Sequence, residues 1–411
     1  MNFEYFIAKR IIDSKAYKSS VSAPIIKIGI AAIAIGIIVM MISIATGIGL
    51  QHKIRDKVVA FNGDIMISKF GDNNSQESES PLSLNQDFYP DFNSVDGVSH
   101  IQGVATKFGI IRTEDDFEAI IVKGVGTDYR WDYFQEYLVE GSLPKYTDSY
   151  SEDVLISQYI ANRLHLKLGD TIQTYFINND FNQQPRILPY KIVGIYNSGF
   201  QEFDKTYVIS HIKHLQRINK WEKNHVGHFE LFVDDYSNLD VIRDQVYENT
   251  PPEYNTVTVE KKFDTIFEWI SIFVKNIYGI IGIMVLVAGF NMITALLVLI
   301  LERTQMIGVL KALGSNNWTI RKIFLYNASY LIVLGLIWGN VIGLGILLTQ
   351  KYFKIFPLDP NVYYVTEAPV YLSFTYIAAL NIGTFILCLL MLMIPSYIIT
   401  KISPVKAMRF E

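Results

Sequence analysis

Four long stretches without a charged residue constrain the fold of this chain more than any other feature. They cover residues 28–50, 276–301, 323–350 and 368–400, and are 23, 26, 28 and 33 residues long. A helix needs about 20 apolar residues to cross the roughly 30 Å hydrocarbon core of a bilayer, so each stretch is long enough to span it. A buried helix of a soluble protein is usually shorter and amphipathic, which makes that alternative weak. The sequence therefore predicts four transmembrane helices.

The polar segment 51–267, between the first and second stretches, differs in charge from the rest of the chain. It holds 33 Asp and Glu against 21 Lys and Arg, a net charge of −12, whereas the remainder has a net charge of +8. An acidic surface repels the phosphates of nucleic acid, so we expect no nucleic-acid partner. The only cysteine, Cys388, lies in the fourth stretch. The polar segment must therefore be stabilised by an apolar core without disulfides, which about 200 residues can provide.

Cations are concentrated on one side of the predicted spans. The N-terminal segment, the loop after the second span and the C-terminal tail carry Lys9, Arg10, Lys15, Lys18, Arg303, Lys311, Arg321, Lys322, Lys401, Lys406 and Arg409. Short cytoplasmic segments are enriched in Lys and Arg, so both termini are predicted to be cytoplasmic and the acidic segment to lie outside. The first apolar stretch is too long for the apolar region of a cleaved signal peptide, and about two dozen residues precede it. We therefore interpret this stretch as a signal anchor.

These patterns predict the order of segments along the chain. The order is a cytoplasmic amphipathic segment 1–23, span 24–50, outer domain 51–267, span 268–301, cytoplasmic loop 302–322, span 323–350, outer loop 351–369, span 370–400 and cytoplasmic tail 401–411.

Within the outer domain, strand-like and helical patterns alternate. Strand-like patterns cover 64–69, 101–112, 117–124, 171–177, 190–196, 206–209, 229–233 and 256–259, and helical periodicity covers 157–166 and 239–248. This interleaving predicts an α+β domain. Strands near both ends of the segment flank its centre, which predicts two lobes.

The segments 51–61 and 264–275, which join the outer domain to the first and second spans, are compatible with helix. No Gly or Pro lies between Lys262 and Tyr278. A helix transmits motion from the membrane to the domain, whereas a flexible linker does not. We therefore expect two helical stalks under the domain.

Small residues recur at four-residue spacing in the spans, at Gly335, Gly339 and Gly343 in the third and at Ala32 and Gly36 in the first. Such faces let helices approach closely, within one subunit or between subunits. Asp, Glu and Arg are absent from the central parts of the spans. An ion or proton pathway therefore has little support.

The loop 302–321, with the sequence ERTQMIGVLKALGSNNWTIR, is the best candidate for a functional element. Ile307, Leu310, Leu313 and Trp318 are spaced for a short amphipathic helix, and Gly314 is expected to end it. Such a helix can lie on the membrane surface or sit in a groove of a cytosolic partner.

This loop resembles the ERTxEIGxLKALG signature of the FtsX/MacB-like ABC transporter permeases. Further segments are similar to the LolC/LolE branch of that family, namely 140–144, 168–170, 193–199, 358–370 and 403–411. The resemblance covers nearly the whole chain. Gln305, Asp359 and Phe410 depart from the usual residues, which leaves open whether the chain is a C-type, an E-type or a homodimeric permease.

The resemblance implies a fold and a set of partners. The fold is an α-helical membrane domain of four transmembrane helices with a large MacB-like α+β periplasmic domain inserted between helices 1 and 2. The partners are a cytosolic ABC ATPase dimer, a second copy or a related permease, membrane lipid, a lipoprotein substrate and a periplasmic lipoprotein chaperone. The location is the inner membrane of a Gram-negative bacterium.

The resemblance also assigns the ATPase contact to the loop, with Glu302, Arg303, Met306, Ile307, Val309, Leu310, Lys311, Leu313 and Gly314. The sequence has no GxxxxGK[ST] phosphate loop, so we expect no cofactor in this chain and place ATP and Mg²⁺ on the ATPase partner. MacB-like permeases usually carry their ATPase fused at the N-terminus, whereas a short basic segment precedes the first span here. The chain is thus expected to be a non-catalytic subunit.

Two further sites follow from the lipoprotein-releasing branch. An acyl-chain cavity would be lined by Met40, Ile44, Ile48, Trp269, Phe273 and Ile277, although lipid-facing residues have the same composition. A chaperone-binding hairpin is predicted at 178–189, with Asn178, Phe181, Pro185, Arg186, Ile187 and Pro189, although an ordinary surface loop would look the same.

Alternative functions remain at this point. A MacB-like efflux permease and an FtsX-like signalling permease share the loop signature, although the outer domain of the signalling type is usually much smaller. Four histidines, His211, His214, His225 and His228, lie close together in sequence, but strand and turn breaks separate them and we expect no metal site. No GxSxG or HExxH pattern indicates a hydrolase.

Overall fold

The structure is a computed structural model that describes residues 3–13, 23–72, 76–176 and 184–401. Contacts divide the chain into two units. The membrane unit comprises Met1–Gln51, Ile270–Pro357 and Glu367–Glu411, and the outer unit comprises His52–Trp269 and Leu358–Thr366.

The described helices are, in chain order, α1 Phe3–Asp13, α2 Ala23–Asn62, α3 Asp132–Tyr137, α4 Gln158–Arg163, α5 Gln201–Asp204, α6 Ile212–Asn219, α7 Leu239–Glu248, α8 Val259–Lys262, α9 Asp264–Glu302, α10 Thr304–Ala312, α11 Asn317–Phe353, α12 Pro360–Tyr363, α13 Phe374–Ser396 and α14 Ile398–Lys401.

The described strands are β1 Ile65–Lys69, β2 Leu82–Ser83, β3 Val98–Arg112, β4 Phe117–Val125, β5 Leu138–Gly141, β6 Asp153–Ser157, β7 Thr171–Phe176, β8 Arg186–Tyr196, β9 Tyr207–His211, β10 His225–Val226, β11 His228–Val233 and β12 Tyr254–Thr258.

Among the described helices, four segments are long and apolar enough to cross a membrane: α2, α9, α11, and α13 together with α14. The large α+β domain lies between the first and second of them, so the predicted fold class is confirmed. The fourth helix begins at Phe374 rather than at residue 370. Ala368 precedes Pro369, which disfavours helix there, and the amide of Tyr371 donates to the carbonyl of Ala45 instead.

The glycines of the third span pack against the first span. A Cβ atom at Gly339 would lie 2.8 Å from Cβ of Ile37 on α2, which is closer than real side chains approach. Gly335 and Gly343, one turn before and after, contact α2 in the same way. Of the two alternatives that the small residues allowed, these three glycines therefore serve packing within one subunit.

Both long helices at the outer domain are continuous. The helix α2 has 40 residues and α9 has 39, so each extends beyond the apolar stretch that the sequence marks. Gly63 ends α2 with a φ of +68°, and its amide donates to the carbonyl of Val59. A Cβ atom at Gly63 would meet Leu231 and Glu230, so glycine is required there for both conformation and space. The expected helical stalks are present.

The outer unit is built on a ten-stranded sheet with the order β12-β1-β11-β3-β4-β9-β6-β8-β5, and a second, two-stranded sheet pairs β10 with β2. Strand β7 pairs with both β3 and β8. The six strands β3, β4, β9, β6, β8 and β7 therefore form a closed ring. Strands β1, β11 and β12, from the two ends of the domain, continue from β3 as an open sheet. The two predicted lobes correspond to the ring and the open sheet. They share strand β3, and both belong to the outer unit.

Apolar side chains from both parts of the sheet share one core. Ile67, Val122, Ile156 and Tyr190 are among its fully buried members. Burial of such side chains is the main stabilising contribution to a domain without disulfides. Predicted strands at 190–196 and 256–259 differ at their ends from β8 and β12. The second difference arises because the Thr258 hydroxyl caps the short helix α8.

Replacing Gly339 by Leu is expected to destabilise the membrane unit by about 1–3 kcal/mol or more, because the new side chain overlaps Ile37. The matched control is Gly345→Leu on the same helix, where a Cβ atom has open space. We expect the control to unfold at or above the wild-type temperature, since Leu favours helix over Gly. Thermal unfolding in mild detergent measures both, and equal midpoints would contradict the close packing.

Candidate functional sites

The cytoplasmic loop forms a short helix between two long ones. Helix α10 follows α9 after Arg303 and ends in a left-handed turn at Gly314, whose φ is +89°. The amide of Ser315 donates to the Leu310 carbonyl, and the Gly314 amide donates to the Lys311 carbonyl. This is the Schellman arrangement, so the predicted helix stop at Gly314 is present.

One face of α10 is fixed to the membrane unit. Ile307 is fully buried, and Met306 and Leu310 pack against a cluster formed by Ala8 and Ile11 of α1 with Ile323 of α11. The ammonium of Lys311 donates to the carbonyl of Ile399, at 2.7 Å, near the end of the fourth span. The helix is thus held against three neighbouring segments.

The opposite face of α10 presents apolar side chains to solvent. Val309 is 46% exposed and Leu313 is 78% exposed, and Glu302, the last residue of α9, is also exposed. Trp318, which the sequence placed on the same helix as Leu313, instead lies in the first turn of α11, behind the Asn316 cap. The Schellman turn separates the two helices, which spacing alone does not reveal.

Trp318 is nevertheless exposed as well, at 45%. Its ring is flanked by the guanidinium of Arg321 at 5.2 Å and by the ammonium of Lys322 at 5.9 Å. Arg321 is positioned by hydrogen bonds to the Ser396 hydroxyl and the Met393 carbonyl. We call the three exposed apolar residues Val309, Leu313 and Trp318 the coupling surface, because exposed apolar side chains with cations beside them are suited to a protein groove.

The residues predicted for the acyl-chain cavity fall into different environments. Met40 is fully buried inside the membrane unit, and Ile277 fills the space above Gly47 on α2. Ile48 and Phe273 are half-buried.

Ile44 lines a small cleft with Tyr371 and Tyr376 of the fourth-span region. Trp269 belongs to the outer unit, where its ring meets Tyr364 at 5.5 Å. In the single chain, Met40 and Ile277 serve helix packing, a role that composition cannot separate from cargo binding. The cavity assignment stays a prediction.

The predicted chaperone-binding hairpin consists of the paired strands β7 and β8. Asn178 and Phe181 lie outside the described residues. Pro185 is exposed directly before β8, and Arg186, Ile187 and Pro189 belong to β8 itself. The prediction of a loop as far as residue 189 was therefore wrong, because backbone pairing with β7 begins at Arg186.

The outer arm of this hairpin is held in place at its start. The guanidinium of Arg186 donates to the carbonyls of Arg217 and Ile218 at the end of α6, both at 3.0 Å. Ile187 and Pro189 then point to solvent, and Tyr190 points into the core. Two exposed apolar side chains on an ordered strand can form a contact with another protein. Their role stays a prediction.

Each of the four histidines contacts at least one neighbouring group, although Nδ1 of His211 is buried without a hydrogen-bond partner among the described residues. These groups are the Tyr146 ring for His211, Tyr150 and the Ser151 carbonyl for His214, the Glu222 amide for His225, and Glu230 for His228. Burial lowers the pKa of His214 to about 4, so its ring is neutral at pH 7. Within the described ranges, no group of three or more possible ligands could hold a metal ion.

A buried ion pair, which the sequence reasoning missed, lies in the outer unit at the end of α2. The Lys123 ammonium donates to the Phe61 carbonyl at 2.6 Å and to both oxygens of Glu230 at 2.7 and 2.8 Å. Phe61 lies in the last turn of α2, where carbonyls lack helical partners and attract a cation. The available signal was a charged residue within the apolar part of each of two strands, Lys123 in FEAIIVKGV and Glu230 in HFELFV.

Burial lowers the pKa of Lys123, whereas the partners of Glu230 hold the pKa of that carboxyl below its usual range. Burial alone would raise the pKa of Glu230, but the Lys123 ammonium and the hydrogen bond to His228 lower it to about 2. Gln102 donates a further hydrogen bond to the same carboxylate, at 2.8 Å. The pair borders a cleft of about 680 Å³ that also contains Lys262, whose pKa burial lowers to about 8. This arrangement joins two strands to the end of the first long helix.

Two family models match the chain. Residues 28–248 match the MacB-like periplasmic core domain, and residues 278–404 match the FtsX-like permease C-terminal region. The first match alone covers more than half of the 411 residues.

Curated relatives are similar at low identity. The lipoprotein-releasing system transmembrane protein LolC of Xylella fastidiosa (strain 9a5c) is 20% identical over 63% of this chain, and the match spans 65% of that relative, just under two thirds. LolC of Buchnera aphidicola subsp. Schizaphis graminum is 22% identical, with 94% of each chain covered. LolE of Haemophilus influenzae is 22% identical, with 99% of each chain covered.

Solved structures are similar to part of the chain. The extracellular domain of the noncanonic ABC-type transporter YknZ from Gram-positive bacteria is 16% identical, with 48% of this chain and all of that chain covered, at a TM-score of 0.32. The periplasmic region of MacB from Actinobacillus actinomycetemcomitans is 15% identical, with 52% and 95% covered, at a TM-score of 0.34.

Replacing Lys123 by Met is expected to destabilise the outer unit by about 3–5 kcal/mol, because the Glu230 carboxylate then stays buried without its ammonium. The matched control is Lys354→Met, which removes an exposed ion pair with Glu367 and should cost at most about 1 kcal/mol. Thermal unfolding of the full chain in mild detergent compares the two. A Lys123→Met protein as stable as the control would show that the pair does not hold the strands to the helix.

Proposed function

We propose that this chain extracts lipoproteins from the inner membrane and passes them to a periplasmic chaperone. The chain belongs to the family of ABC transporter permeases that join a MacB-like periplasmic core domain to an FtsX-like permease C-terminal region. Similarity to LolC and LolE proteins, one of them matched over 99% of both chains, supports this cargo. The structural observation that carries the proposal is the coupling surface of Val309, Leu313 and Trp318.

A separate cytosolic ATPase dimer binds the coupling surface and supplies the energy by hydrolysing ATP. One face of α10 is held by Ile307 and Lys311, and the other is apolar and exposed. A force applied to the exposed face is therefore transmitted to the helical bundle, because the helix is packed firmly against it. ATP and Mg²⁺ belong to that partner, and the chain itself is a non-catalytic permease subunit. The cation-rich termini and loop lie in the cytoplasm, and the acidic domain lies in the periplasm of a Gram-negative cell.

A second permease, identical or related, completes the transporter. The acyl chains of the cargo enter between the first and second spans of the two permeases, where Ile44, Ile48 and Phe273 retain partly exposed side chains. Burying an acyl chain contributes roughly 0.8 kcal/mol per CH₂ relative to water. Closing that space on ATP binding returns the chains toward water, where a periplasmic chaperone receives them.

Efflux of the MacB type and signalling of the FtsX type are the alternatives. All three share the coupling surface, so the distinguishing observation is the periplasmic partner. Affinity purification of the full complex in mild detergent, followed by identification of co-eluting proteins, separates them. A lipoprotein chaperone supports the proposal, and a cell-wall hydrolase activator or an outer-membrane channel with its adaptor would overturn it.

Replacing Val309 or Leu313 by Glu is expected to abolish co-purification of the ATPase, because each change places a carboxylate in a contact that must exclude water. The matched control is Val241→Glu on α7 of the outer domain, where the valine is 58% exposed. All three variants should reach the membrane in wild-type amounts. If the Leu313→Glu variant retained the ATPase, the coupling surface would not be the ATPase contact.

Replacing Ile187 by Glu is expected to abolish capture of the lipoprotein chaperone in a pull-down, because Ile187, 49% exposed, is the apolar tip of the fixed strand β8. The matched control is Val139→Glu on β5, where the valine is 54% exposed. The substitution leaves the backbone pairing with β7 intact, so folding is preserved. Equal capture by both variants would remove the hairpin from the chaperone contact.

A further inference from the structure

The segment Leu358–Thr366, which connects the third and fourth spans, belongs to the outer unit and not to the membrane unit. It contains the short helix α12, and its ends are joined by a hydrogen bond from the Leu358 amide to the Thr366 carbonyl at 3.0 Å. Val365 within it is buried. The segment is therefore built into the outer domain by its own contacts.

Tyr364 makes the central contact of this segment. Its ring stacks on Phe200, with centroids 4.7 Å apart and an angle of 18° between the planes. It also meets the edge of Trp269 on α9 at 5.5 Å. Phe200 is fully buried and in turn contacts Phe203. One aromatic ring thus touches both the body of the domain and the helix that leads to the second span.

Lys57 on α2 anchors the same residue through the backbone. Its ammonium donates to the Tyr364 carbonyl at 3.0 Å, and the side chain is buried. The carboxylate of Asp204, which accepts a hydrogen bond from the Ser198 hydroxyl, interacts electrostatically with this lysine. A Cβ atom at Gly199 would lie 3.0 Å from the Lys57 ammonium, so glycine leaves room for it.

The backbone of Tyr364 is itself unusual. Its φ is +58°, a conformation that side chains other than glycine rarely adopt and that persists only where the surroundings hold it. Here the ring, the carbonyl and the amide, which donates to the Pro360 carbonyl, are all engaged. The two sequence segments 193–199 and 358–370, noted separately above, therefore meet at one point.

We propose that the segment Leu358–Thr366 is a strap through which the third and fourth spans move the outer domain, with Tyr364 as its positioning residue and Lys57 as its anchor. The first and second spans already reach the domain through α2 and α9. The strap attaches the remaining two, so that all four spans act on the domain together. It stays seated throughout the transport cycle, since a link that let go would transmit no displacement.

The inference rests on the proposed ATP-driven cycle but not on the identity of the cargo. A residue that only filled space would change stability and every activity alike. A residue that transmits motion leaves ATP hydrolysis intact and reduces the work that hydrolysis drives. The test must therefore separate these two readouts.

The first experiment compares Tyr364→Ala and Lys57→Met with the conservative control Tyr364→Phe in the complex with its ATPase partner, reconstituted with lipoprotein. We expect ATP hydrolysis at wild-type rates in all three. Release should fall about tenfold for Tyr364→Ala and for Lys57→Met, and stay at the wild-type rate for Tyr364→Phe, which keeps the ring. If Tyr364→Ala is not recovered folded, Lys57→Met carries the test. Wild-type release by Lys57→Met would overturn the strap.

The second experiment does not depend on cargo. Spin labels are placed at the exposed positions Val241, in the outer unit, and Ile355, directly after α11, in a Cys388→Ala background. With the strap seated, the distance distribution should stay narrow on adding a non-hydrolysable ATP analogue. In Tyr364→Ala it should broaden. Identical distance distributions in the wild-type protein and in Tyr364→Ala would overturn the inference. If the distributions differ but the wild-type complex releases no lipoprotein, the strap is supported and the proposed cargo is wrong.

Discussion

The hydrogen bonds of Lys123 hold the first long helix to the outer sheet. The chain must cross hydrocarbon as helix, because no water is available there for backbone groups. Where that helix ends, its last carbonyls need donors, and Lys123 supplies one to Phe61 from strand β4. Glu230 on β11 then compensates the charge. The end of a membrane span, a ring strand and a strand of the open sheet are thereby joined at a single buried group.

The sequence predicted the parts of the fold that depend on local pattern. Apolar runs marked the spans, the absence of Gly and Pro from 264–275 predicted one continuous helix, and Gly314 marked a helix end. Features that depend on distant pairing escaped it. Trp318 was assigned to the wrong helix because a left-handed turn breaks the periodicity. The ion pair of Lys123 and Glu230 joins residues 107 positions apart, so the charge in each strand does not reveal its partner.

The functional assignments divide in the same way. The coupling surface could be located from its motif, yet which residues face solvent followed only from packing: Ile307 turns inward and Leu313 outward. Cavity residues could not be separated from helix-packing residues, since both are aliphatic. The proposed cargo comes from the resemblance to lipoprotein-releasing permeases, and the proposed path of force comes from the contacts of α10 and of the segment Leu358–Thr366.

The closed ring of β3, β4, β9, β6, β8 and β7 has a consequence for how two such chains can associate. Each of its strands pairs with two neighbours along at least part of its length, and in the main sheet β12 and β5 end the row among the described strands. A closed ring therefore offers less free backbone for pairing with a second sheet than an open sheet does. Recognition at the ring falls to side chains, which single substitutions can alter while the scaffold stays the same.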